Sequence, residues 1–384
     1  GASWAPFGDL PTTSQFKVYW SLTVDASASP TVIYVSTLGL GTGLYRSGDA
    51  GNHFASVAAQ GAPINLGFGR IVIDPATPTT LFAISGSSGV WKSLDAGEHW
   101  GALDLGNPQG TVLSLARNAS GTLFVGWYED GLGQLLDGAA MQAAHAGITN
   151  VSVTAIAHAP SAPAIVYCGA TRGQVWRSAD GGASWSATKR GLPRELTIAS
   201  LAVHPTDPTI VYAGAWKQNV RGALYKSLDS GDTWYELDLG ASKDMQIVQV
   251  LVDPANPKVV YASGTELIRS DDAGVSFAKS RPSKGRVTID PSNSQQLFMA
   301  DHAWNTPARS TNGGDSWYDW VSTTKATNGI GVAQQATSVA VDPTDSAIVY
   351  VCTPLGPYKS ADSGGTFSHA AVGFADPSLC AMLV

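Results

Sequence analysis

Tyr225-Lys226-Ser227-Leu228-Asp229-Ser230-Gly231-Asp232-Thr233-Trp234 reads as aromatic, basic, Ser, any, Asp, any, Gly, any, any, aromatic. The pattern returns as Tyr45 to Phe54, Trp91 to Trp100, Trp176 to Trp185, Ile268 to Phe277, Ala308 to Trp317 and Tyr358 to Phe367, the last but one with Asn312 in the acidic place. Seven copies along 384 residues make this a repeat protein. Each copy predicts a tight β-hairpin. Gly231 and its equivalents supply the positive φ that such a turn needs. Asp229 accepts hydrogen bonds from turn N–H groups, and the Ser227 hydroxyl serves the same turn. Trp234 then closes an apolar ring over the hairpin. Asp49, Asp95, Asp180, Asp229, Asp272, Asn312 and Asp362 are therefore read as structural.

Between the copies lie pairs of apolar runs. The first of each pair, strand A, ends in a turn signal, as in Ile71-Val72-Ile73-Asp74-Pro75 and Leu201-Ala202-Val203-His204-Pro205, because Pro removes a ladder donor and restricts its predecessor. The second, strand B, is β-branched and aromatic, as in Ile210-Val211-Tyr212-Ala213. Strand C leads into the ten-residue box and strand D leaves it. Eight A–B pairs occur, and the third is followed by Gln134-Leu135-Leu136-Asp137-Gly138 where a box belongs, a degenerate repeat. The expected fold is all-β: a single β-propeller of four-stranded antiparallel blades over residues 1–384, with eight blades, or seven if the unusual ends merge units. Ser3-Trp4 and Ser378 to Val384 read as leftover strands that join the first and last blades.

With these boxes the chain resembles the Asp-box (bacterial neuraminidase) repeat family over nearly its whole length. The resemblance extends to sialidases, to two-domain xyloglucanases and to the single-propeller assembly factor of photosystem II. It implies a ligand site near the central channel, on the face opposite the boxes. Sialidases of this kind carry an arginine trio and an early Arg-Ile-Pro signature, whereas this chain has Phe16-Lys17-Val18-Tyr19 near its start. Nor does it contain the Asp-Ile-Gly-Gly segment of the xyloglucanases. A typical sialidase is therefore not expected.

Composition sets further bounds. Residues are 44% hydrophobic and 14% charged, with 42 Gly and 21 Pro, as suits many short strands joined by turns. A net charge of -7 without a basic run argues against a nucleic-acid partner. No stretch reaches the ~18 apolar residues of a membrane span. Low Lys, plentiful Ser, Thr, Gly and Trp, and the family resemblance point to a secreted or periplasmic protein. Cys168, Cys352 and Cys380 form no metal spacing and are expected as buried thiols in strands, with room for one disulfide pair among them. No zinc spacing, calcium loop, phosphate loop or dinucleotide fingerprint occurs, so no metal and no cofactor are expected. His158 and His204 stand where other units have Asp and are read as turn caps.

Three loops between strands B and C concentrate unusual residues: Trp127-Tyr128-Glu129-Asp130, Trp216-Lys217-Gln218-Asn219-Val220-Arg221 and Asp301-His302-Ala303-Trp304-Asn305. They belong to alternate units and to the face away from the boxes. Trp127, Trp216 and Trp304 offer rings on which sugars stack, and Lys217, Asn219, His302 and Asn305 offer polar contacts, the equipment of a site for a glycan or a protein partner. Glycoside hydrolysis instead needs two carboxyl groups about 5 to 9.5 Å apart. Glu129 or Asp130, paired with Asp301, is the combination expected for that chemistry. A third expectation is a non-enzymatic assembly scaffold.

Overall fold

The computed structural model describes residues 17–25, 28, 30–39, 44–50, 55–57, 71–74, 76–84, 89–103, 105, 111–117, 121–127, 131–135, 142–143, 148, 152–188, 190–217, 222–242, 245–281, 285–290, 292–300, 308–319, 338–342, 345–353 and 356–369. The leftover strands expected at Ser3-Trp4 and Ser378 to Val384 lie outside them.

Among the described residues are eight four-stranded sheets, each an antiparallel meander of sequence neighbours. In the fifth sheet, strand A is Thr197–Val203, B is Val211–Trp216, C is Ala223–Ser227 and D is Tyr235–Glu236. The third, without a box, still forms all four strands: Val112–Arg117, Leu123–Trp127, Gly131–Leu135 and Gln142–Ala143. Neighbouring sheets meet largely through their A strands, which places strand A innermost. Strand D, two residues long and exposed in the fifth sheet, forms a short outer edge, so little unpaired backbone is offered to other chains.

The core lies between sheets. Among the described residues, seven apolar clusters each fill the gap between one sheet and the next, from the first–second gap (Tyr34, Leu44, Leu81, Trp100) to the seventh–eighth (Phe298, Val341, Val349, Tyr358). Strand B runs through the middle of its sheet and touches a gap on either side. Val211, Ala213 and Ala215 pack toward the fourth sheet, and Tyr212 toward the sixth. That is why strand B is apolar at consecutive positions rather than alternate ones. The eighth sheet returns to the first: Thr31 Oγ1 donates to Asp342 Oδ2 at 2.8 Å, and the Tyr350 hydroxyl donates to the Ala50 carbonyl at 3.0 Å. The sheets thus close a ring, the arrangement of a β-propeller.

Candidate functional site

Seven boxes connect strand C to strand D, and in the fifth sheet the box geometry is complete. Ser227 Oγ donates to Asp229 Oδ1 at 2.8 Å and accepts the buried Gly231 N–H at 2.8 Å. Asp229 Oδ1 accepts the Thr233 N–H at 2.8 Å, Oδ2 accepts the Thr233 hydroxyl, and Trp234 Nε1 donates to the Gly231 carbonyl at 2.9 Å. Ser230 and Gly231 both adopt left-handed φ, 63° and 86°. The sequence predicted the second of these and missed the first. The Ser230 N–H donates to the Thr209 carbonyl in the A–B turn at 2.9 Å, and Ala50 and Ala96 bond Thr31 and Thr79 in the same way. Boxes and A–B turns therefore share one face.

These bonds saturate the box carboxylates and hold them ionised. Asp180 and Asp272 are lowered to about 2, chiefly by the hydroxyls of Ser184 and Ser276, and Asp95 to about 2, chiefly by the His99 N–H. Burial opposes the shift at Asp229, yet the Thr233 and Ser227 hydrogen bonds outweigh it and its pKa also falls. Asp95, Glu98 and His99 bring ligand-type atoms within 4.8 Å of one another. Both Asp95 oxygens there already accept hydrogen bonds, from the His99 N–H and Ser93 and from His99 Nδ1.

The basic residue of the box links sheets, a role the sequence did not disclose. Lys226 Nζ donates to the Ala273 carbonyl of the next box at 2.7 Å, and the Tyr212 hydroxyl donates to the same oxygen at 3.0 Å. Arg269 and Tyr261 repeat this onto Gly313, both at 2.8 Å. Arg309 reaches Ser363, and Lys359 reaches Ala50 across the closing seam.

On the opposite face, Trp216 is half-buried at the end of strand B and Lys217 follows it, half-buried as well. Along a strand, side chains alternate, so Trp216 shares the flank of Tyr212 and leans toward the sixth sheet. Trp127 corrects the sequence reading. It is 3% exposed and packs among Phe82, Val90, Leu115 and Val125, so its ring serves the core rather than a sugar. Asn219, Glu129, Asp130, Asp301, His302, Trp304 and Asn305 lie outside the described residues. Of the proposed platform, the structure therefore describes only Trp216 and Lys217 side by side at this face. His204 caps its turn as expected, Nδ1 accepting the Asp207 N–H at 3.1 Å, whereas His158 is exposed within the strand Val153–Ala159. Cys168 is a buried free thiol, and burial pushes its pKa up. Beside the B–C turn of the fourth sheet, three arginines that the sequence reading passed over, Arg172, Arg190 and Arg194, line a cleft of about 240 Å³. Their signal in sequence is slight: two short turns, Thr171-Arg172-Gly173 and Arg190-Gly191-Leu192-Pro193-Arg194, each with a glycine.

No family model matches the chain. No curated protein matches it either. Among solved structures, an ancestral GH74 enzyme is 14% identical with a TM-score of 0.60, over 91% of this chain and 54% of that one. The GH74 xyloglucanase from Xanthomonas campestris is 16% identical with a TM-score of 0.52, over 91% of this chain and 66% of that one. Sqt1 from Chaetomium thermophilum, solved bound to the N-terminus of ribosomal protein L10, is 16% identical with a TM-score of 0.51, over 69% and 78%. The chain thus spans 54 to 66% of the length of the GH74 enzymes it matches. At these identities the likeness concerns fold alone, and the fold is that of the propeller proteins.

Proposed function

We propose that this chain is a ligand-binding β-propeller of the Asp-box kind, secreted or periplasmic, that recognises a glycan or a protein partner on the face opposite the boxes. One observation carries the reading. The box carboxylates are consumed by hydrogen bonds inside their own hairpins, while Trp216 and Lys217 stand half-buried at the end of a strand on the other face. An indole edged by an ammonium group can stack on a sugar or an aromatic side chain and donate to its hydroxyl or carboxylate neighbours. Asn219 from the same loop, and His302, Trp304 and Asn305 from the seventh unit, extend the proposed surface. A protein partner is in keeping with Sqt1, which binds the N-terminus of another protein on a similar fold. A glycan array with the intact chain tests the reading: hits should lose at least tenfold in affinity with Trp216→Ala. Hits that bind the variant as tightly as the parent would refute the site.

The second reading is a glycoside hydrolase in which Glu129 or Asp130 works with Asp301. Its ground is that GH74 enzymes are among the similar structures. Release of reducing sugar from an array hit, lost in Glu129→Gln or Asp130→Asn and in Asp301→Asn, would replace binding with catalysis as the function. An array without hits, together with capture of a defined protein partner, would favour a scaffold for assembly.

A further inference from the structure

The cleft beside the fourth sheet is built from two segments that meet by close backbone approach. One is the B–C turn of that sheet, between Ala162–Ala170 and Val175–Ser178. The other is the linker from its strand D to strand A of the fifth sheet. The linker is pinned at both ends. The Arg190 carbonyl accepts the Trp234 N–H of the fifth-sheet box at 3.1 Å, and the Leu196 carbonyl accepts the Gly173 N–H at 2.6 Å. Neither approach leaves room for a side chain: a Cβ on Gly191 would stand 2.1 Å from the Trp234 carbonyl oxygen, and one on Gly173 would stand 2.0 Å from the Pro193 oxygen. The two arginines of the linker and the one on the turn are therefore carried by a fixed frame.

Arg172 adds a second observation. Its φ of 64° makes it the one non-glycine residue with left-handed backbone outside the boxes, among the described residues. Such a conformation is unfavourable for a side chain of this size and persists where surrounding structure imposes it. Here that residue stands on the turn that lines the cleft. Gln174 and Thr188 supply further donors, and none of the lining residues is a carboxylate. Arg172, Arg190 and Arg194 are all exposed, and no ion pair joins them to a carboxylate among the described residues. Elsewhere in the ring arginines do find acids, as the half-buried Arg269 finds Asp271 and Asp315 at 2.6 and 2.7 Å.

We propose that this cleft binds a tetrahedral oxyanion carried on a sugar, a sulfate or phosphate ester of a monosaccharide unit. Three guanidinium groups offer forked pairs of N–H donors that match such an anion, whose three terminal oxygens give them more acceptor positions than the two of a carboxylate. Ligand pockets for drug-sized molecules run to about 300–1,000 Å³, so a cleft of about 240 Å³ suits one substituted ring rather than an extended peptide. The proposal rests on the reading of the molecule as glycan-binding but uses a flank of the fourth sheet, whereas Trp216 leans from the fifth toward the sixth.

Titration calorimetry of the full chain with galactose 6-sulfate, glucose 6-phosphate, galacturonate and galactose tests it. One or both esters should bind, at least tenfold more tightly than galacturonate and with affinity that falls as salt rises. Binding to only one ester identifies the source of the oxyanion. The double variant Arg190→Gln/Arg194→Gln, with unchanged unfolding temperature, should lose at least tenfold in ester affinity. Trp216→Ala should leave it unchanged even if that variant abolishes array binding, so the two sites stand or fall separately. Galacturonate binding as tightly as the esters, no ester binding at all, unchanged affinity in the double variant, or loss in Trp216→Ala would each overturn the assignment. If the double variant unfolds, Arg172→Gln, on the turn, replaces it under the same criterion.

Discussion

The Lys226 ammonium group and the Tyr212 hydroxyl converge on one acceptor, the carbonyl of Ala273, from the sheet on the other side of the gap. Ala273 is the first of two left-handed residues in its box (φ 59°, followed by Gly274 at 91°), and its carbonyl accepts both donors. The boxes of the first, sixth, seventh and eighth sheets thus shape a hairpin and also present an acceptor to the preceding sheet. Lys226→Met and Tyr212→Phe should each cost about 1 kcal/mol in denaturant unfolding, since each removes one partly buried hydrogen bond. Their effects should be non-additive by 0.5 kcal/mol or more, the mark of a shared partner. Strict additivity would show that the two donors do not compete for or reinforce one site.

Within the box, serine should matter more than aspartate. Ser227→Ala leaves the buried Gly231 N–H without an acceptor, at a cost of about 1–3 kcal/mol. Asp229→Ala removes acceptors from the exposed Thr233 backbone and hydroxyl, which water replaces, so about 1 kcal/mol is expected. Neither variant should alter ligand affinity. A loss of affinity with unfolding unchanged would put the ligand on the box face.

Two glycines with the same backbone separate conformational strain from crowding. Gly231 and Gly182 have φ of 86° and 99°, and both should resist alanine by about 1–2 kcal/mol for that reason. A Cβ at Gly231 meets its nearest neighbour, Tyr167, at 3.4 Å, whereas one at Gly182 would stand 2.3 Å from Phe124. Overpacking adds about 1–3 kcal/mol, so Gly182→Ala should unfold at lower denaturant than Gly231→Ala. Equal midpoints would mean that the Phe124 ring moves aside without cost.

Acid should loosen the boxes together. The folded pKa of Asp95, Asp180 and Asp272 is about 2, below the ordinary 3.8, so each contributes stability that is complete above the unfolded value. That contribution is lost as pH falls through the window from about 4 to about 2, and lowering the pH from 7 to 5 should change little. Asp272→Asn, which keeps the acceptor and removes the titration, should show a shallower acid transition in circular dichroism. An identical transition would exclude the boxes as its source.

The Cys168 thiol is enclosed by the cluster of the third and fourth sheets, and burial raises its pKa, so little of it is thiolate at neutral pH. Iodoacetamide at pH 7.5 should leave Cys168 unmodified in the native protein and label it in denaturant, as peptide mass mapping reads directly. Native labelling would show that the gap between those sheets opens.

The strands were legible because their periodicity and turn chemistry are local: Ile71 to Asp74 announces an innermost strand and its stop, and Tyr225 to Trp234 announces a hairpin. Contacts between sheets were not legible, since the partner of Lys226 is a backbone carbonyl with no signature in sequence. The indoles show the same limit. Trp127 and Trp216 each end a strand B and precede polar residues, yet one faces the crowded gap to the second sheet and the other is half-exposed. Only the neighbour across the gap decides which of the two is core. Arg172, Arg190 and Arg194 were likewise invisible as a group, because two glycines and a pinned linker bring them together.

The seam between the first and eighth sheets joins Thr31 to Asp342, 311 residues apart. On the ribosome the first sheet has one flank covered as soon as the second follows, but its other flank waits until the eighth, 311 residues later at the Thr31–Asp342 contact, is made. Each intermediate sheet inherits a companion within the time of a few dozen codons. The first alone waits through six further sheets with Ile33 and Tyr45 short of their final cover, which makes that flank the natural place for a chaperone to sit and for a prematurely released chain to aggregate.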